Sequence, residues 1–374
     1  MEKKIWANSG DSHFLEPEDL FQQILPPALA ARMPRSEKGD DGWETVYIDG
    51  EVLRRPLPKP IREGEFAGET INTLSVRPPG AGDVVQRIKD LDQEGIWGEL
   101  TFPSLGMWAN YIKDPELARE GATAVNEWAL SEIQQKYPHR LIATATLPLL
   151  DVEDTVAEVH RAAGRGFHAV YIPTVPPPGR PAWNADEWDP VWTAVEETGM
   201  VLAIHIGTDA GKTVVFRGPG GAVLNYVETT YGGQRAVTQL IAGGALDRHP
   251  NLKVLVSEGG AAWAPFLGDR MNEGYRQHSM FVRPALSMPP KEFIYRQVWV
   301  SFQHDETAVQ TVTGMGYQNV MFGSDYPHLE GTYGHTQKTL HELFDDVDPA
   351  VRHRITVGAF LDLFPHIGEP PGNA

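Results

Sequence analysis

The sequence predicts an α/β protein built as a (β/α)8 TIM barrel, and three of its features predict it. Short apolar runs alternate with longer segments of helical spacing, the pattern of parallel strands joined by helical crossovers. Eight such runs occur in one chain of 374 residues, a length that a single barrel fills. No Gly-x-Gly-x-x-Gly follows any of them, which counts against an open dinucleotide-binding sheet as the rival architecture.

The first run is residues 5–9. After it, residues 17–79 carry few helix signals beyond their first part. Within them, 43–50 followed by Glu51, Val52 and Leu53 reads as a hairpin turning at Asp49-Gly50, because an Asp-Gly pair accepts the left-handed backbone that a tight turn needs. This stretch is expected to be a β/loop insertion or cap after the first strand, within one domain spanning 1–374. Later strands are expected at 98–102, 141–145, 169–172, 201–205, 253–257, 298–302 and 319–323. Helical spacing appears at 114–136, 152–163, 190–197, 234–246 and 336–344. Residues 175–179, with three consecutive prolines, form a stiff connection, and the Gly-rich 217–221 reads as a plain loop that opens no helix.

Composition narrows the chemistry. Fifty acidic against 32 basic residues leave a formal charge of -18 with no basic cluster, so nucleic acid and anionic membrane surfaces are not expected partners. There is no cysteine, which excludes disulfides, thiolate nucleophiles, iron-sulfur clusters and thiolate zinc sites. Any metal must then sit on His, Asp and Glu. No apolar run approaches the length of a signal peptide core or a membrane span, and a cytoplasmic protein is expected.

A barrel enzyme gathers its reactive groups where the strands end. Here Asp11-Ser12-His13 follows the first run, and its alternate spacing in extended backbone sends both side chains to one side. His205 ends the fifth run, Glu258 follows the sixth, His304 and Asp305 follow the seventh, and Asp325 follows the eighth. Singly, each has an ordinary explanation: a surface turn, a satisfied core histidine, a salt bridge to Arg270, a helix cap. Together they would need five strand ends to carry ionisable groups for five unrelated reasons, and one shared site is the simpler account. By contrast His139, His160, His249, His278, His341 and His353 fall in or beside helices and are read as outer-surface residues.

With these residues in view, the chain resembles the amidohydrolase superfamily, in the branch that contains aminocarboxymuconate-semialdehyde decarboxylase. The resemblance is carried by Asp11-Ser12-His13-Phe14-Leu15-Glu16-Pro17, His205, Glu258-Gly259-Gly260, and Gly323-Ser324-Asp325-Tyr326-Pro327-His328 followed by Glu330-Gly331-Thr332. It implies a barrel of the metal-dependent hydrolase type, a divalent metal on Asp11, His13, His205 and Asp325, and a homodimer. Three departures stand out. Glu258 occupies a position where many family decarboxylases carry histidine, the fourth strand ends in Tyr171-Ile172-Pro173 without a lysine to bridge metals, and His304 adds an imidazole after the seventh.

Those departures yield three histidines and three carboxylates. Asp11, His13 and Asp325 could hold one metal, and His205, His304 and Glu258 a second, the latter having the composition of the facial triad of non-heme iron. The chain is therefore also similar to the superfamily's non-heme diiron monooxygenase offshoot of the platensimycin and platencin type, in antibiotic biosynthesis. The expectation is an enzyme with two Fe ions that uses dioxygen and an electron donor to hydroxylate a bulky apolar acid or its thioester, with Glu258 and Asp325 as catalytic groups. Trp6, Trp97, Trp108, Tyr171, Trp263 and Tyr326 are expected to line an apolar pocket. The alternative is ordinary family chemistry on a small-molecule substrate, in which one Zn or Mn supports hydrolysis or non-oxidative decarboxylation with Asp325 as general base.

Overall fold

The computed structural model describes residues 4–56, 78–104, 107, 111–208, 216, 218–328 and 330–371. Trp108, Arg217 and the 57–77 part of the expected insertion lie outside the described residues.

Eight parallel strands form the barrel wall in the order β1 (Ala7–Ser9), β6 (Ile96–Pro103), β7 (Leu141–Thr146), β8 (Ala169–Pro173), β9 (Val201–His205), β10 (Val254–Ser257), β11 (Val298–Phe302) and β12 (Val320–Phe322). The short β2 (His13–Phe14) also pairs with β6. The ring is drawn together by Gly10 N donating to the Phe322 carbonyl at 2.9 Å and by a parallel bridge between Ser12 and Tyr326. Every expected strand is present, with ends shifted by a residue or two.

The strands are apolar on both faces because both are covered. Leu100, Phe102, Ile142, Tyr171, Ala203, Leu255 and Met321 pack in a cluster with the C-terminal Phe360, Leu363, Phe364 and Ile367. Alternate residues such as Val170, Ile172, Leu202, Ile204, Val254 and Val256 belong to a second cluster with residues of the surrounding helices. The C-terminal segment seals the end where the strands begin: Trp97 Nε1 bonds the Ile367 carbonyl at 3.3 Å, and Lys253 Nζ the Asp362 carbonyl at 2.8 Å. The opposite end is left for chemistry.

After β2 the chain forms a separate antiparallel sheet of β3 (Arg35–Lys38), β4 (Trp43–Ile48) and β5 (Glu51–Pro56). Its hairpin turns at Asp49 and Gly50, both left-handed with φ 46° and 82°. Val46 and Ile48 bury against Leu117, Ala118 and Val125 of the helix Pro115–Glu132. The strand β3 escapes sequence reading because Arg-Ser-Glu-Lys is a half-exposed to exposed edge with no apolar alternation.

Two readings are corrected. The helix expected at 234–246 runs Gly221–Ala242, so the Gly-rich stretch opens it, with left-handed Gly220 as its N-cap. Its first turns hide from periodicity because Val223, Leu224, Tyr226, Val227 and Tyr231 are all exposed, leaving no polar face to contrast with an apolar one. His249 is buried rather than superficial, with its ring nitrogens 3.1 Å from Asp189 and 3.3 Å from Glu196.

Candidate metal centre

The site is built from the loops that follow β1, β9, β10 and β12. The register pairs His205 with Ser257, which sets Glu258 one residue beyond the partner of His205. Asp325 N donates to the Asp11 carbonyl at 2.9 Å and His13 N to the Tyr326 carbonyl at 2.6 Å, so the first and last strand ends are stitched across the barrel seam. Behind Asp11, the hydroxyls of Ser9 and Ser12 each donate to its carbonyl at 2.7 Å, and Ser324 N donates to Ser9 Oγ at 2.8 Å. Small hydroxylated residues here satisfy a sharply turning, buried backbone.

The side chains converge. His205 Nε2 lies 3.2 Å from Asp11 Oδ1 and 3.7 Å from Glu258 Oε2, while His13 Nε2 lies 3.9 Å from Asp11 Oδ1 and 3.5 Å from Asp325 Oδ1. His328 joins them, its Nδ1 3.0 Å from Asp325 Oδ1 and its ring stacked on His13 with centroids 3.9 Å apart. Three sets of donor atoms each fall within 4.8 Å of one another: Asp11, His13 and His205; His13, Asp325 and His328; Glu258, Asp325 and Glu330. Both oxygens of Asp11, both of Asp325 and Nε2 of His205 are buried without a hydrogen-bond partner. Such groups are costly to bury unless something binds them. His205 Nδ1 faces the Ile206 carbonyl at 2.8 Å, which makes it a protonated nitrogen and leaves Nε2 as the ring atom turned toward Asp11 and Glu258. Two imidazoles and carboxylates fit a divalent transition ion.

The electrostatics follow from burial. Asp325 is raised well above the usual carboxylate range by loss of solvent, then by the charges of Asp11 and Glu330. Glu258 is raised in the same way, by burial and then by Asp325, with His205 opposing. His205 is raised although burial alone would lower it, because Asp11 and Glu258 favour the imidazolium. A buried excess of negative charge is what a bound cation would neutralise.

Asp11, His13, His205, Glu258 and Asp325 are therefore brought together; His304 is not. Its ring is exposed, with Nε2 3.2 Å from the Glu330 carbonyl and a parallel stack on His335 at 5.7 Å, and among the described residues it enters none of the donor groups. The expected second set of His205, His304 and Glu258 is thus not assembled, because the loop after β11 carries His304 out toward the loop that follows Asp325. The diiron reading, with its dioxygen and electron donor, loses its main support. The aromatic pocket also changes. Trp6 and Trp97 pair at 6.3 Å, and Trp97 bonds the C-terminal segment at the sealed end. Tyr171 is inside the barrel core and Tyr326 behind the site, so of the described set Trp263, whose Nε1 bonds the Gly260 carbonyl at 2.9 Å, stands nearest the mouth. His328 and Glu330 were missed as site residues. The signal was present in Asp325-Tyr326-Pro327-His328, where a turn closed by His328 N on the Asp325 carbonyl at 2.8 Å returns the fourth residue to the first.

Comparison with known proteins gives one consistent picture. The sequence model of the amidohydrolase family matches residues 82–364, more than half of the chain. The 2-amino-3-carboxymuconate-6-semialdehyde decarboxylase of Dictyostelium discoideum is 27% identical over 320 residues, covering 83% of this chain and 81% of its own. A solved amidohydrolase from Mycobacterium avium subsp. paratuberculosis K-10 superposes with TM-score 0.78 at 22% identity over 100% of both chains. A 5-carboxyvanillate decarboxylase from Novosphingobium aromaticivorans DSM 12444, solved with bound manganese and a nitrobenzoic acid, superposes with TM-score 0.70 at 20% identity over 97% of this chain and 98% of its own.

Proposed function

The chain belongs to the amidohydrolase family, and from that premise we propose that it is a mononuclear metal-dependent decarboxylase that removes the carboxyl group of a small conjugated or aromatic acid without an oxidant. The observation that carries this reading is the convergence of Asp11, His13, His205 and Asp325 at the barrel mouth, with buried carboxylate oxygens and an imidazole nitrogen that have ion-pair neighbours but no hydrogen-bond partner. The decarboxylases among its relatives favour this chemistry over the others that the family performs.

Asp11, His13, His205 and Asp325 would hold one zinc or manganese ion, which supplies a Lewis acid to orient the substrate's carboxylate. Glu258 is the proton donor. Burial, the largest cause, raises its carboxyl above the usual range, so it can deliver a proton to the ring or chain carbon bearing the carboxylate. As the new C–H bond forms, the carbon–carboxylate bond breaks, carbon dioxide leaves, and Glu258 regains its proton from water. The imidazole of His328, against Asp325, helps fix that carboxylate.

The test is anaerobic incubation of the Mn2+- or Zn2+-loaded enzyme with a panel of hydroxybenzoic and carboxymuconate-type acids, following carbon dioxide release. Release without oxygen supports the proposal. One observation favours a second reading, hydrolysis: the strand-six position carries a carboxylate, Glu258, which could accept a proton from water. Turnover of amides, esters or lactones with no carbon dioxide from any acid would replace decarboxylation by hydrolysis.

A further inference from the structure

We infer that the helix Val84–Glu94, which stands outside the barrel and offers no donor atom, sets the geometry of the metal centre through a buried stripe of Arg87, Asp90 and Glu94; the inference rests on the metal-site reading above. These positions are spaced by three and four residues and share one face. Against a barrel that face should be apolar, as Val84 and Leu91 are. Instead Arg87, Asp90 and Glu94 are only 0%, 5% and 8% exposed.

Each grips a segment that carries site residues. Arg87 Nη1 donates to the His13 carbonyl at 2.8 Å, while its Nε pairs with Glu99 on β6 and its guanidinium lies 4.6 Å from the ring centroid of Tyr326 and 5.2 Å from that of Phe14. Asp90 accepts from the Tyr326 hydroxyl at 2.7 Å, its other oxygen being held by Gln86 Nε2 at 2.8 Å. Glu94 accepts from Gly334 N and Thr336 N, both at 3.1 Å, at the start of the helix Thr336–Phe344. One helix face therefore fixes the backbone of His13, the residue after Asp325, and the far end of the loop bearing His328 and Glu330. Packing alone does not call for three buried ionisable groups, since apolar residues of similar size serve as well. What they add is direction, because metal donors must be held within about half an ångström of their working positions. Arg87, Asp90 and Glu94 are positioning residues, acting on the donors through the backbone they hold.

The experiment measures Mn2+ affinity by chelator competition, together with the melting temperature of the metal-stripped chain, for the wild type, Tyr326→Phe, Asp90→Leu, Arg87→Lys and Leu91→Ala. Tyr326→Phe and Asp90→Leu should each weaken Mn2+ binding about tenfold, with a metal-free melting point within about 2 °C of wild type. Their double variant should be no weaker than the poorer single, since both remove one bond. Leu91→Ala should lower the melting point by opening a cavity yet bind Mn2+ as the wild type does. Should Arg87→Lys fail to fold, the Tyr326 and Asp90 variants carry the test. Unchanged Mn2+ affinity in both, or a loss that Leu91→Ala reproduces, overturns the positioning role while leaving the metal reading intact. A wild-type chain that binds no Mn2+ removes the metal reading itself, and the inference falls with its premise.

Discussion

Glu258 and Asp325 hold left-handed backbone, with φ of 63° and 52°, where glycine would sit without strain. Asp325 is buried and Glu258 largely so, each beside other carboxylates, so each is held in place against its own conformational and electrostatic preference. That combination is expected where geometry serves chemistry. Replacing Glu258 by Gly should relieve strain of about 1 kcal/mol and raise the metal-free melting temperature by ~2 °C in calorimetry, while turnover is lost; a fall in melting temperature would show that the side chain stabilises the fold. Glu258→Gln keeps the shape and removes the proton. It should retain metal and lower kcat by about 10²- to 10⁴-fold. Because the acid works only when protonated, wild-type kcat should fall as pH rises through the raised Glu258 pKa, and the variant's residual rate should not show that limb. At this scale the sequence was informative wherever a polar residue interrupts an apolar run, as at His205 and Asp325. It was silent where a loop decides the direction of a side chain, which is why His304 read as a ligand and His328 did not.

Among the elements, the C-terminal plug has its own chemistry. The ring of His366 stacks on His168 at 3.8 Å, its Nε2 is buried without a hydrogen-bond partner, and His139 Nδ1 lies 3.3 Å from the His366 carbonyl. Burial, then the neighbouring His168 and His139, push His366 down to about 4 from an ordinary 6.5. A folded pKa below the unfolded one means that stability is fully present above pH 6.5 and is lost as pH falls toward 4. The melting temperature should therefore decline across that window, and His366→Phe should flatten the decline; a variant curve parallel to wild type would locate the acid sensitivity elsewhere. Elements whose two faces differ, or whose both faces are buried, were legible in the sequence: the barrel strands, the Asp49-Gly50 hairpin and the helix Thr336–Phe344. Those lacking contrast were not. The exposed edge β3 and the apolar, solvent-facing first turns of Gly221–Ala242 carry no period to read.

For the whole molecule, the barrel seals one end with Phe360, Leu363, Phe364 and Ile367 and collects buried ionisable groups at the other. The described residues contain no helix long and apolar enough to cross a membrane. Fold and family were legible because alternation, strand count and strand-end residues are whole-chain properties that survive local errors. The reaction was less so, since one histidine weighed as a sixth ligand shifted the expectation from a mononuclear centre to a diiron one. A mononuclear centre holds one metal ion per chain. Metal content per chain should be measured by elemental analysis after growth with manganese, zinc and iron all supplied and purification without chelators, for the wild type, His205→Ala and His304→Ala. About one manganese or zinc per chain is expected in the wild type and in His304→Ala, with near-complete loss in His205→Ala. Two irons per chain, with the second lost in His304→Ala, would contradict the account and restore the diiron centre.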